Sequence, residues 1–68
     1  MRYSDDEVVE LDMHVHAETP RAMLLSLTGE EKDAEWTPKS QIVHKGAKNG
    51  ESGSFELKEW VAKKNGFI

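Results

Sequence analysis

From Val8 to His16 apolar and polar residues alternate with period two. Val9, Leu11, Met13 and Val15 fall on one side, and Glu10, Asp12, His14 and His16 on the other. That spacing predicts a half-buried β-strand with a polar outer face. Glu18-Thr19-Pro20 then interrupts it, because proline has no amide proton and restricts the residue before it. Arg21 to Leu27 predicts a second strand, with Met23, Leu25 and Leu27 as one set and Ala22 and Leu24 as the other. Apolar residues on both faces mark a strand covered on both sides.

Thr28 to Asp33 is a polar turn around Gly29, and a third strand starting near Ala34 makes a hairpin with a loop of about five residues. Continued alternation sets Trp36, Pro38, Ser40 and Ile42 on one face of that strand. Pro38 calls for an edge or a bulge, so the PKSQI segment is expected to leave the ladder as a short 3₁₀ turn before Ile42 re-enters the core. Residues 45–54 hold three of the five glycines and the Asn49-Gly50 pair, which predicts a loop or hairpin tip. Ser54 to Leu57 is a last strand with Phe55 and Leu57 inward. A short helix ends the chain, with Glu59 in its first turn and Lys63 and Lys64 in its last, as the helix dipole favours. Asn65-Gly66 supplies a left-handed stop, Phe67 is positioned to fold back on Val61 or Ala62, and Trp60 is expected over the open end of the sheet.

The elements add up to one domain over residues 1–68, with 1–6 frayed. The expected fold is mainly β: a small four-stranded antiparallel, partly open barrel of SH3-like or OB-like kind with a short C-terminal helix. An open sheet capped by the helix is the second architecture. A chain of this length buries only about 60% of the surface it exposes when unfolded. The framework is therefore expected to rest on Trp36, Ile42, Phe55, Leu57, Trp60 and Phe67.

The stretches WTPKSQI at 36–42 and EWVAKKNGFI at 59–68, preceded by AMLLSL at 22–27, carry a resemblance. The chain resembles a group of small phage and prophage proteins that have a W-x-P-K-S-Q-I segment and a closing E-W-x-A-x-K-x-G-type helix. The likeness covers roughly residues 20–68. It departs at Thr37, where the group carries an aliphatic residue, and it leaves out the acidic, histidine-bearing first strand. No activity is attached to the group. The resemblance implies a virus or mobile-element setting, in which small acidic proteins act by binding host proteins.

Charge adds an asymmetry to this picture. Residues 1–35 carry ten acidic and three basic side chains, and residues 36–68 carry three acidic and six basic ones, within an overall net charge of −4. The acidic half repels phosphates, and the basic half attracts an anionic partner. The absence of cysteine removes disulfides and thiolate metal sites. No apolar run reaches the roughly 18 residues of a membrane span, and MRYSDDEVVE lacks the apolar segment of a signal peptide. A cytoplasmic location is the expectation.

Three binding chemistries and one catalytic one can be read from the residues. A protein partner engaging the acidic strand face or a sheet edge is the first, with Glu10, Asp12, His14, Lys39 and Lys63 as contact residues. Single-stranded nucleic acid is the alternative: Trp36 with Lys39, and Trp60 with Lys58, Lys63 and Lys64, combine stacking rings with cations. A histidine-based metal site is the lesser alternative, in which His14 and His16, two apart on one strand face, are completed by a carboxylate or His44. No cofactor is expected. An uncovered strand edge also leaves pairing with a second copy open. Catalysis is not expected: there is no cysteine nucleophile, no phosphate-cradling glycine loop and no Ser–His–Asp set on a nucleophile elbow. A domain this small is also expected to have little room for a pocket of several hundred Å³.

Overall fold

The computed structural model describes residues 7–68, so the expectation for residues 1–6 lies outside the described part. Five strands form one antiparallel sheet: β1 (Val8–Glu18), β2 (Ala22–Ser26), β3 (Glu35–Pro38), β4 (Ile42–His44) and β5 (Ser52–Lys58). They lie in the order β3-β2-β1-β5-β4 and are followed by one short helix, α1 (Glu59–Lys64). The sheet is a half-barrel.

Its curl follows from the connection between its edges. β3 and β4 lie at opposite edges of the sheet, yet only the 3₁₀ turn Lys39–Gln41 joins them. Across a flat five-stranded sheet the edges would stand about 19 Å apart. Four residue steps cover at most about 14 Å when fully extended and about 8 Å in 3₁₀ geometry. The edges must therefore approach each other, and the sheet must bend.

That turn also corrects the strand count. The sequence pattern gave four strands because Ala34 to Ile42 read as one bent strand. Pro38 and the 3₁₀ turn divide it into two short strands, each on a different edge.

The inner face carries Met13, Val15, Met23, Leu25, Phe55 and Leu57, all at 1% exposure or less. Val61, Ala62 and Phe67 from the C-terminal segment close over them. Val9, Leu11, Ile42 and Trp60 pack against this core while remaining half-buried. Leu27, expected inward with Met23 and Leu25, lies beyond the end of β2 and is exposed. The helix stop is as the sequence reads. Phe67 N–H donates to Ala62 C=O at 2.8 Å, Gly66 N–H donates to Lys63 C=O at 3.1 Å, and Gly66 has φ +78°. This is the paired hydrogen-bond pattern of a Schellman stop, and it is what turns Phe67 back into the core.

β3 has the opposite phase from the one expected. Its pairing with β2 puts Met23 opposite Thr37 and Leu24 opposite Trp36. Paired residues point the same way, so Thr37 follows Met23 inward and is fully buried, while Trp36 follows Leu24 outward and is 49% exposed. Trp36 is therefore not a core residue. The outer face of β2 is covered only in part, since Ala22 and Leu24 are half-buried.

Candidate functional site

The outer face of the sheet is read directly from the register. Ala17, Leu24 and Trp36 make an apolar row across β1, β2 and β3. His14 lies between Ser26 and Ser52, Asp12 lies opposite Ser54, and Glu10 lies opposite Glu56, which in turn faces His44 on β4. The face thus grades from an aromatic corner, through a band of imidazoles and hydroxyls, to a row of carboxylates.

The central band is held by side-chain hydrogen bonds. His14 Nδ1 lies 2.7 Å from Ser52 Oγ, and His16 Nε2 lies 2.7 Å from Ser26 Oγ. The two rings meet edge to face with centroids 4.6 Å apart. They share a side because they stand two residues apart on β1; the strand then bulges, since Val15 pairs with Leu25 and Ala17 with Leu24, leaving His16 as the extra residue. A bulge re-aims the side chains that follow it, which sends Glu18 toward the concave side with Met23. Ser26 is fully buried although it lies on the outer side, and its Oγ also accepts the Gly29 N–H at 3.0 Å.

At the acidic end Ser54 Oγ donates to Glu10 Oε2 at 2.7 Å. Glu10 and Glu56 stand directly opposite each other, and like charges in that position oppose strand pairing. Asp12 is exposed. Glu10, Asp12 and His14 are therefore brought together on one face. Lys39 and Lys63 are not part of it. The Lys39 ammonium donates to the Glu18 carboxylate, and Lys63 stands in the last turn of α1.

The metal alternative fares differently from its spacing. No group of three or more histidine, aspartate or glutamate side chains among the described residues is arranged to hold an ion. Each of the two imidazoles instead meets a serine hydroxyl. His14 and Ser52 are hydrogen-bonded, but among the described residues no side-chain hydrogen bond joins Asp12 to His14.

A second feature went unseen in the sequence. At one end of the half-barrel Glu18, Met23, Lys45, Gly46, Ala47, Lys48 and Glu51 line an open cleft of about 420 Å³. The expectation that so small a chain has little room for such a space is corrected. The room exists because the half-barrel is left open where β1 passes into β2, and the 45–51 loop forms the opposite wall. The loop is pressed against β5 at Gly46 and Gly53: a Cβ on Gly46 would stand 1.8 Å from the Ser54 carbonyl oxygen, and one on Gly53 would stand 2.3 Å from the Gly46 carbonyl oxygen. Two backbones are in direct contact there, and only glycine permits it. The Glu18 carboxyl is held below its ordinary value, chiefly by the hydrogen bond from Lys39 and further by the charges of Lys39 and Lys45, with desolvation acting in the opposite sense.

The chain matches no protein-family model, no curated protein and no solved structure. No helix among the described residues is long and apolar enough to cross a membrane.

Proposed function

We propose that this protein is a non-enzymatic binding module of phage or prophage type that engages a basic protein partner through the outer face of its half-barrel. The observation that carries the reading is an exposed tryptophan on the same sheet face as a carboxylate row. Trp36 is half exposed on a fixed strand, and tryptophan is among the residues that most often anchor protein interfaces. Glu10, Asp12 and Glu56 outnumber Lys58 at the other end of the face and give it a net negative charge, which steers and selects a lysine- or arginine-bearing surface. Glu10 and Glu56 lie opposite one another at a cost to strand pairing. The Ser54 hydroxyl bonds Glu10 and offsets part of that cost; the local rule broken at Glu10 and Glu56 supports a use outside the fold. His14 lies between the two ends and belongs to the contact set. Lys39 leaves it, because its charge is already engaged by Glu18. The 3₁₀ turn joining the two edge strands supports the SH3-like form of the barrel, and the resemblance of residues 20–68 supports the mobile-element setting.

Single-stranded nucleic acid is the second reading, and the exposure of Trp36 is the observation in its favour. The charges count against it. Along the Trp36 face the carboxylates Glu10, Asp12 and Glu56 outnumber Lys58, the lysine in register there, and Trp60 packs on the core.

The test compares wild-type protein with Trp36→Ala and Asp12→Lys as baits against a host lysate. Proteins retained by wild type and lost by both variants support the outer-face reading. Retention indifferent to both variants contradicts it. Quenching of tryptophan fluorescence by an oligothymidylate at low salt, reversed by added salt, would transfer the assignment to nucleic acid.

A further inference from the structure

The chain has two asparagines, Asn49 and Asn65, and glycine follows each of them. That neighbour lets an asparagine side chain react with its own backbone, because glycine has no side chain to shield its nitrogen. The fold treats the two pairs differently. Asn65 is half-buried, and its Nδ2 donates to the Trp36 carbonyl at 3.2 Å and to Thr37 Oγ1 at 3.3 Å. Its ψ is 0°, so the Gly66 nitrogen eclipses the Asn65 nitrogen and stands away from the side chain. Turning ψ would swing the buried Phe67 out of the core and break the hydrogen bonds of the helix stop. Asn49 is exposed at the tip of the 45–51 loop, and among the described residues no hydrogen bond holds its side chain. Its turn is docked on β1 through backbone: Gly50 N–H donates to Val15 C=O at 2.8 Å, and Val15 N–H donates to Glu51 C=O at 2.9 Å.

We infer that Asn49 is a site of spontaneous modification, the loss of its carboxamide through a succinimide ring, and that the fold withholds the same reaction from Asn65. The Gly50 nitrogen gives its proton to hydroxide and bonds to Asn49 Cγ. The Cγ–Nδ2 bond breaks, and Nδ2 takes a proton from water and leaves as ammonia. One water then opens the ring at either carbonyl. The product is an aspartyl residue or, where the main chain is rerouted through Cγ, an isoaspartyl residue. At Asn49 ring closure requires Gly50 to leave Val15, a local opening of a loop tip. At Asn65 it requires the side-chain hydrogen bonds, the helix stop and Phe67 to be released together. Either product places a carboxylate next to Lys48. The isoaspartyl product also lengthens the main chain by one carbon inside the turn, so Gly50 N–H and Glu51 C=O no longer both meet Val15. The modification therefore undocks the loop from β1, on a part of the molecule that the outer-face reading does not use.

The experiment ages the full chain at mildly alkaline pH, folded and in urea, and follows both asparagines by peptide mass spectrometry. In the folded protein Asn49 should convert roughly tenfold or more faster than Asn65, the ratio that one or two additional hydrogen bonds impose. In urea the two should convert at similar rates, since the neighbour is the same. Thr37→Val, which removes one acceptor of the Asn65 amide, should raise conversion at Asn65 relative to Asn49. Aged wild type should melt at a lower temperature than fresh protein. Aged Asn49→Gln, whose longer side chain closes such a ring far more slowly, should keep its midpoint. Equal rates at the two sites in the folded protein would overturn the inference. So would a folded Asn49 that stays intact while the unfolded chain converts.

Discussion

The Asn65 side-chain amide donates to Thr37 Oγ1 at 3.3 Å and to the Trp36 carbonyl at 3.2 Å. The residue that ends α1 therefore fastens the helix to edge strand β3. It acts on the side chain of the buried threonine and on the backbone, not the ring, of the tryptophan beside it. Thr37 has no exposed surface, so its hydroxyl depends on partners within the protein, here Asn65 and the Glu35 carbonyl.

Removing either partner should loosen this closure. Thr37→Val and Asn65→Ala are each expected to cost about 1–2 kcal/mol in urea unfolding, the range for a hydrogen bond with a buried partner. The double variant should cost less than the sum, with a coupling of about 0.5–1.5 kcal/mol. Strict additivity would show that the two residues do not interact.

The backbone contact at Gly46 and Gly53 makes a second prediction. Gly53→Ala and Gly46→Ala each force a methyl group into a carbonyl. The cost expected is about 1–3 kcal/mol or more, as for overpacking. Thermal melts of the two variants check it, and a wild-type midpoint for either would contradict the contact.

Acid titration reads the Glu18–Lys39 pair. The folded protein holds the Glu18 carboxyl below its ordinary value of 4.5, so its contribution to stability is complete above that value. It is lost as the pH falls through the lowered folded value. The melting-point difference between wild type and Lys39→Met should be present at neutral pH and close below about pH 4.5. Because the pair is partly open to solvent, the difference should be small and should shrink with salt. A gap that widens on acidification would contradict the pairing.

The face-to-face carboxylates Glu10 and Glu56 predict a stabilising change. Glu56→Lys replaces a like-charge cross-strand pair with an opposite one and should raise stability by about 0.2–1 kcal/mol. If the acidic row serves a basic partner, the same substitution should reduce partner retention in the lysate comparison. Stability and binding then move in opposite directions, which a purely structural role for Glu56 would not produce.

Much of the fold is legible in the chain. β1 is clear because the eight residues from Val9 to His16 alternate without exception, and the helix stop is clear because Asn65, Gly66 and Phe67 each have a local conformational reason. The candidate site is legible only in part. Glu10, Asp12 and His14 follow from the β1 pattern, but the partner they gain in Trp36 depends on the phase of β3. That phase is set by the register with β2, a non-local property, and the size of the indole pointed to the opposite face. The bulge at His16 and the cleft beside Glu18 are likewise products of pairing and curl. No spacing within one segment encodes them.

The most direct measurement is acrylamide quenching of the single-tryptophan variants Trp60→Phe and Trp36→Phe. The outer-face reading requires Trp36, the ring remaining in Trp60→Phe, to be readily quenched. Trp60, remaining in Trp36→Phe, should be the more shielded because it packs on the core. A shielded Trp36 would mean that β3 has the opposite phase, with Thr37 facing solvent, and would remove the anchor on which the proposed partner surface depends.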